Sequence, residues 1–231
     1  MDPPPSNPAQ LSATLGGLFP AGAVVAELHG PGDTGLLLPL EARRLGKAVP
    51  KRAREFAAGR LCARRALAEF GILDFPLEAG DDRAPIWPRG MVGSITHTAG
   101  FCAAVVADRT CAASLGIDSE VVGDIKIEIW SSVCLPIEID WVRSLPAAEQ
   151  TAAVALIFSA KEAFYKCQYP LSRETLGFHD VRAETQGLGF EGAFRIHATR
   201  RIALQSALPL GGRYLFHEAF VSAGLSLNAG D

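Results

Sequence analysis

The sequence has 231 residues, and 48% of them are hydrophobic, which is enough for one large domain or two small ones to bury a packed core. No apolar run reaches the ~20 residues that a membrane-spanning helix needs, so no such helix is predicted. The net charge of −3 lacks the excess of Lys and Arg with which a general nucleic-acid binder neutralises phosphates.

The first ten residues are rich in proline and lack the basic and then apolar pattern of a secretory signal. We expect residues 1–10 to form a disordered tail of a cytoplasmic protein. The five cysteines are scattered and never form a CxxC pair, which favours small core residues over a disulfide or metal framework.

The charges are unevenly distributed along the chain. Nine basic residues lie between Arg43 and Arg65 and are opposed by Glu55 alone, whereas residues 118–149 are mostly acidic. A basic and an acidic region in one nearly neutral protein suit an anionic ligand that is held between cations and a metal ion.

The first predicted element is a helix over Pro50–Phe70, because its apolar residues recur at helical spacing and Gly71 follows as a left-handed cap. Arg60 falls on the apolar stripe between Phe56 and Ala63. A charged side chain in that position needs an anionic partner.

Two strands are predicted next. Residues 87–93 have the composition of a segment rich in turns that leads towards a strand. Phe101–Ala107 is a short valine-rich run that is typical of a buried strand. Leu115–Glu120 alternates, so Leu115 and Ile117 share one face while Asp118 and Glu120 share the other.

A helix-favouring, Ala-rich stretch covers Ser144–Tyr169, with Pro170 as its predicted stop and Ser159 as a cap for its last helical piece. Before it, Ile125–Trp141 alternates as in a strand, although its length allows other structures.

The remainder, Gly177–Leu227, contains alternating runs such as Phe190–Ile196 and Tyr214–Val221, which predict antiparallel strands. Helices set among strands without a regular βαβ order indicate the α+β class.

Asp118, Glu120 and Glu162 could bind one Mg²⁺ ion. Mg²⁺ prefers carboxylate, water and phosphate oxygens, and an Asp-x-Glu pair on a strand brings two carboxylates ~7 Å apart, with Glu162 closing the site from a helix. Simpler explanations stay open. The strand pair could be a solvated face, and Glu162 fits both a capping box with Ser159 and an ordinary helical ion pair with Lys166.

His97 lies in the segment Gly93–Thr98, which we interpret as a loop that presents hydroxyls and an imidazole at the start of the buried strand. A lone histidine is more often a structural residue than a ligand, so phosphate binding by His97 depends on its neighbours.

Four motifs in order resemble the larger, monomeric 4′-phosphopantetheinyl transferases, in particular the enterobactin-synthase branch. They cover the chain from about residue 51 to residue 177. The motifs are Lys51-Arg52 to Arg60, Trp87-Pro88 to His97, Gly116 to Glu120, and Phe158-Ser-Ala-Lys-Glu-Ala-Phe-Tyr-Lys166.

The resemblance implies a role for each matching residue. Asp118, Glu120 and Glu162 would be Mg²⁺ ligands, with Mn²⁺ as an alternative ion, and Glu162 would also be the base. The phosphate contacts would come from Lys161 and Lys166 at the pyrophosphate, Thr96 and His97 at the 3′-phosphate, Arg52 and Arg60 at the phosphate and adenine end, and Arg83 near the diphosphate. Ser119 departs from the family, which commonly has an apolar residue there.

The implied reaction transfers the 4′-phosphopantetheine arm of coenzyme A, the co-substrate, to a serine of an apo acyl or peptidyl carrier protein and releases 3′,5′-ADP. The implied fold has two pseudo-twofold-related halves, residues 11–114 and 115–231, each a small antiparallel sheet packed with helices. The first half would bind the coenzyme A phosphates and adenine, and the second would carry the Mg²⁺ site and the catalytic helix. A cytoplasmic monomer in siderophore or nonribosomal-peptide biosynthesis, with no nucleic-acid or membrane partner, is expected.

Two alternatives use the same residues differently. A Mg²⁺-dependent nucleotide diphosphate hydrolase would employ the carboxylates with water as the nucleophile. A non-catalytic module would dock acidic carrier proteins on the basic segment around Arg43–Arg65.

Overall fold

The computed structural model describes residues 9–46, 48–204 and 208–228. The first part of the chain forms a four-stranded sheet with helices, and the second part forms a five-stranded sheet with helices. The elements of the first part are β1 (Gln10–Leu11), α1 (Ala13–Gly16), β2 (Val24–His29), α2 (Pro39–Arg43), α3 (Pro50–Ala68), β3 (Met91–Thr98) and β4 (Phe101–Asp108). Those of the second are β5 (Ser114–Val121), α4 (Trp130–Val133), α5 (Pro136–Ser144), α6 (Ala147–Ser172), β6 (Val181–Thr185), β7 (Glu191–Ala198), β8 (Leu210–His217) and β9 (Phe220–Leu227).

Both sheets are antiparallel, with strand orders β1-β2-β4-β3 and β5-β9-β8-β7-β6. This arrangement confirms the predicted α+β class. The edge strands β3 and β5 lie side by side and are joined through side-chain hydroxyls. Ser94 Oγ accepts a hydrogen bond from the Ile117 amide at 3.2 Å, and Thr96 Oγ1 accepts one from the Ser119 amide at 2.9 Å.

Helix α6 packs directly against β5 through Gly116. A Cβ atom at that position would lie 1.9 Å from the carbonyl oxygen of Ala163, a distance that real Cβ atoms do not show. The absence of a side chain therefore lets the backbones of β5 and α6 approach closely, and this approach sets the distance between the side chains that the two elements carry.

The hydrophobic core has three parts. One lies between α3 and the first sheet, one between the two sheets, and one beneath α6 in the second sheet. Within the described ranges, no helix combines the length and the hydropathy that crossing a membrane would require.

The predicted helix over Pro50–Phe70 is confirmed as α3, and Gly71 follows it with a φ of +73°. The predicted strands Phe101–Ala107 and Leu115–Glu120 are confirmed as β4 and β5. The predicted tail falls mostly outside the described residues, but Gln10 at its end is paired with Glu27 in the first sheet.

Three predictions of local structure were wrong. Pro170 does not stop α6, because a missing amide in the last turn costs one hydrogen bond, and the helix ends instead where Arg173 adopts a φ of +57°. Ser159 lies in the middle of α6 and caps nothing. The run Tyr214–Val221 spans the turn between β8 and β9. Residues 125–141, whose structure the sequence left open, are mostly helical.

Candidate active site

Asp118 and Glu120 project from β5 towards α6, which carries Glu162 and Lys166 four residues apart on one helical face. Lys166 Nζ donates to Asp118 Oδ1 at 2.7 Å and to the Ile117 carbonyl at 3.2 Å. The strand and the helix thus bring Asp118 and Lys166 into contact, with Glu120 and Glu162 on the same two elements.

The two carboxylate oxygens of Asp118 have different surroundings. Oδ1 accepts from Lys166 and, at 3.3 Å, from the Thr96 hydroxyl. Oδ2 is buried and has no hydrogen-bond partner among the described residues. Because an unpaired buried carboxylate oxygen is costly, this atom indicates a place where a cation or a donor belongs.

Glu120 and Glu162 are close enough to Asp118 to affect each other's protonation. Burial, followed by the charge of Asp118, raises the pKa of Glu120 to about 8, and Lys166 opposes the shift while Glu162 and Asp124 add to it. The pKa of Glu162 is raised by burial and then by Asp118, again opposed by Lys166. Three carboxylates therefore repel one another around a single lysine.

This donor set fits a hard divalent cation. Within the described ranges, no three His, Cys, Asp or Glu side chains are placed to hold a metal ion by themselves, so an ion here would need further ligands. An open site suits Mg²⁺, because this ion usually takes one or two carboxylates and completes its shell with water and substrate phosphates. The unpaired Asp118 oxygen and the mutual repulsion of the carboxylates are both relieved by such an ion.

A cavity of about 260 Å³ lies beside α3, at the turn between β3 and β4. Its lining includes three basic residues and one acidic residue, Lys51, Arg54, His97 and Glu55, together with Ala58 and residues 30–32 and 98–102. Arg52 Nη1 lies 2.8 Å from His97 Nε2, so a neutral imidazole would accept from the guanidinium. The structure thus brings Arg52 and His97 together, as predicted, at the rim of a basic cavity.

The imidazole of His97 is also linked electrostatically to the carboxylate site. Loss of solvent lowers the pKa of His97, Glu55 opposes the shift, and the charges of Arg52 and Lys166 add to it. The charge of Lys166 therefore acts on His97 as well as on the carboxylates.

Three predicted phosphate ligands are committed to other contacts. Thr96 is adjacent to His97 on β3 and so projects from the opposite face, where its hydroxyl binds Asp118 and the Ser119 amide. The interpretation of residues 93–98 as a loop was wrong, because they belong to β3. The role of Thr96 beside His97 at the 3′-phosphate, which the resemblance implies, stays a prediction.

Lys161 is buried and cannot reach a pyrophosphate. Its ammonium donates to Glu138 Oε2 at 2.6 Å and to the carbonyls of Val133 and Phe178, both at 2.9 Å, so its three protons are used. Five helical residues separate Lys161 from Lys166 by about 140° around the axis, which explains why the two lysines point in different directions.

Arg60 is also directed inward. Its Nε donates to the Leu77 carbonyl at 3.0 Å, and its guanidinium stacks 3.9 Å from the centre of the Phe56 ring. Burial lowers the pKa of Arg60 to about 10, opposed by Glu41. Arg83 is exposed on a tight turn with a φ of +67°.

Several contributors were missed from the sequence. Ser94 and Ser159 hold the backbone of β5, since Ser159 Oγ donates to the Asp118 carbonyl at 2.9 Å. Isolated serines gave no signal for this. Lys51 and Arg54 line the cavity. Both belong to the basic segment between Arg43 and Arg65, but the sequence alone did not distinguish them from the other basic residues there.

Comparison with protein families gives two matches. A model described as "4'-phosphopantetheinyl transferase N-terminal domain" matches residues 40–107, and one described as "4'-phosphopantetheinyl transferase superfamily" matches residues 114–209. The first matched range contains the cavity residues Lys51, Arg54 and His97, and the second contains the three carboxylates and Lys166.

Similar curated proteins agree with these matches. The chain is 43% identical to 4'-phosphopantetheinyl transferase Svp of Streptomyces mobaraensis over 72% of this chain and 70% of that protein. It is 34% identical to 4'-phosphopantetheinyl transferase Npt of Nocardia iowensis over 90% of this chain and 97% of that protein. Enterobactin synthase component D of Salmonella typhi is 37% identical over 53% of this chain and 51% of that protein.

Proposed function

The chain belongs to the 4′-phosphopantetheinyl transferase superfamily and is a transferase of the larger type, and from this premise we propose that it performs a Mg²⁺-dependent reaction at Asp118. The proposed reaction moves the 4′-phosphopantetheine arm of coenzyme A to a serine of an apo carrier protein and releases 3′,5′-ADP. The observation that carries the metal requirement is the buried, unpaired Oδ2 of Asp118 beside two further carboxylates.

Asp118, Glu120 and Glu162 would hold the metal, as the resemblance implies. A divalent ion bound there supplies positive charge to the diphosphate oxygens and to the leaving group. Mn²⁺ should substitute, because it accepts the same oxygen ligands.

Lys166 supplies the protein's own positive charge to the reaction. Its ammonium already reaches Asp118 at 2.7 Å and influences the titration of His97, so it lies where a diphosphate could bridge the two regions. Phosphoryl-type transfer depends on positioning and on neutralising charge, and the loss of one such contact typically costs ~3 to 4 kcal/mol of barrier.

Glu162 is proposed to accept the proton of the carrier serine, directly or through a water molecule. A serine hydroxyl is a poor nucleophile at neutral pH and needs a base within hydrogen-bond reach.

The basic cavity is proposed to bind the nucleotide end of coenzyme A. His97 and Arg52 stand at its rim, and Lys51 and Arg54 add charge that suits a 3′-phosphate. Arg83 remains proposed for the diphosphate. Arg60 remains proposed for the phosphate and adenine end, since its Nε–H, one of the five donors of the guanidinium, is the one used on the Leu77 carbonyl.

The decisive assay incubates the protein with coenzyme A, Mg²⁺ and an apo carrier protein, followed by mass spectrometry of the carrier. A gain of the phosphopantetheine mass, lost when a chelator is added, is the expected result. Cleavage of coenzyme A without labelling of the carrier would instead identify a diphosphate hydrolase. Binding of the carrier without either change would identify a docking module.

The biological setting is a proposal of the same kind. Names such as enterobactin synthase component D suggest carriers from siderophore or nonribosomal-peptide assembly, while polyketide and fatty acid carriers are alternatives that the same assay can compare. We further propose a cytoplasmic monomer, without nucleic-acid or membrane partners, in which residues 11–114 bind the nucleotide and residues 115–231 carry the metal site.

A further inference from the structure

Ser119 lies between two of the proposed metal ligands, and its hydroxyl is completely buried. Strand alternation places this hydroxyl on the face opposite Asp118 and Glu120, together with the core residues Leu115 and Ile117. A polar group in that apolar layer needs a partner, because leaving a buried hydroxyl unpaired costs more than burying an apolar group of the same shape.

The partner is Ser222, which faces Ser119 directly across β5 and β9. The two hydroxyl oxygens are 2.7 Å apart, and Ser222 Oγ is also 2.7 Å from Nε2 of His217 at the end of β8. The three side chains form a continuous hydrogen-bonded line, which we call the 119–222–217 chain. It begins at Ser119, on the face of β5 opposite Asp118 and Glu120, and crosses β9 to the end of β8.

The direction of the hydrogen bonds in the 119–222–217 chain follows from the surroundings of His217. Its ring packs against Phe101 and Phe220, and burial lowers its pKa, opposed by Glu27 and Glu218 and assisted by His29. A neutral ring that accepts at Nε2 lets Ser222 donate to it. The Ser222 oxygen can then accept from Ser119, so both hydroxyl protons have an acceptor.

Other hydrogen bonds to this part of β5 are also made by side-chain hydroxyl groups. On the edge that faces the first sheet, Ser94 and Thr96 bind amides of Ile117 and Ser119, and Ser159 of α6 binds the Asp118 carbonyl. As an edge strand, β5 has a backbone ladder only towards β9. The position and the rotation of the β5 segment that carries Asp118 and Glu120 therefore depend on a small number of hydroxyl contacts.

We propose that Ser222 and His217 are positioning residues for the metal site, acting through Ser119 to fix the segment that carries Asp118 and Glu120. This inference rests on the proposed function, since it assumes that these carboxylates bind the metal. Removal of either serine hydroxyl should weaken metal binding about tenfold, in the range typical of residues that orient ligands. The affinity for coenzyme A, measured without a divalent ion, should not change, because metal and coenzyme A binding are linked through the diphosphate.

The test measures Mn²⁺ binding by electron paramagnetic resonance in the presence of coenzyme A for the wild type, Ser119→Ala, Ser222→Ala and the double variant. If the three side chains act as one unit, the double variant should bind Mn²⁺ no more weakly than either single variant. Ser222→Thr, which keeps the hydroxyl, should restore binding. Ser119→Ala tests the same chain should Ser222→Ala fail to fold.

Ser12→Ala is the matched control. Ser12 is another buried serine, but it lies in the first part of the chain, where its hydroxyl oxygen accepts from the Leu15 amide at 3.1 Å. This variant should lower the melting temperature without altering Mn²⁺ affinity. Variants of Ser119 and Ser222 that lose stability but bind Mn²⁺ as the wild type does would overturn the inference. A wild type that binds no Mn²⁺ would overturn the proposed metal site itself and, with it, this inference.

Discussion

Replacing Gly116 with alanine tests whether the close approach of β5 and α6 builds the site. The added Cβ would lie 1.9 Å from the Ala163 carbonyl oxygen and 2.9 Å from Cys167 Cβ, so the two elements must separate by more than 1 Å to reach ordinary contact distances. Overpacking of this kind typically costs about 1 to 3 kcal/mol, equivalent to a fall in melting temperature of about 2 to 12 °C for a chain of this size.

The effect on activity should exceed the effect on stability. Separation of β5 from α6 also separates Asp118 from Lys166, which are 2.7 Å apart, and a misplacement of ~1 Å can cost about 10²-fold in rate. We therefore expect Gly116→Ala to remain folded at 20 °C, by circular dichroism, while kcat for carrier modification falls about 100-fold.

Gly211→Ala serves as the control for this experiment. Gly211 is also a strand glycine, but a Cβ there meets nothing within 4 Å. The control should match the wild type in both measurements. A Gly116→Ala protein with normal melting temperature and normal kcat would refute the argument that this contact sets the geometry of the site.

Three further predictions concern individual side chains. Glu162→Gln should abolish transfer, below 1% of wild-type kcat, while Glu149→Gln, an exposed position on the same helix, should leave it unchanged; a near-normal Glu162→Gln enzyme would remove the proposed base. His97→Ala should raise KM for coenzyme A more than for 3′-dephospho-coenzyme A, and equal effects on both would disprove the 3′-phosphate assignment. Because the pKa of Glu120 rises to about 8 on folding, the metal-free protein binds a proton more tightly than the unfolded chain and should lose stability as pH rises from 5 to 8. Melting curves in chelator should show a shallower pH dependence for Glu120→Gln, and identical slopes would contradict the proposed carboxylate cluster.

Elements with strong local signals could be predicted from the sequence. Helix α3 combines helical periodicity with a left-handed glycine after it, and β5 alternates so regularly that Asp118 and Glu120 could be assigned to one face. Glu162 and Lys166 could be placed on one helical face by their four-residue spacing alone. These predictions depend only on periods of 3.6 and 2 residues.

Other features depend on tertiary contacts that local patterns do not contain. The resemblance implied that Lys161 binds the pyrophosphate, but its ammonium is held by Glu138, 23 residues earlier. Residues 93–98 were taken for a loop although they form part of β3, and residues 125–141 were uncertain because short helical turns can carry strand-like alternation. The close approach at Gly116 could not be predicted, because the Ala163 backbone atoms that pack against it belong to α6, a distant part of the sequence.

The most direct test of the central claim is a crystal structure of the protein with coenzyme A and Mn²⁺, with anomalous scattering used to locate the ion. We predict one Mn²⁺ peak in contact with Asp118, Glu120, Glu162 and the diphosphate, with Lys166 on the diphosphate and His97 on the 3′-phosphate. A peak away from these carboxylates, or coenzyme A bound outside the cavity beside α3, would contradict the account.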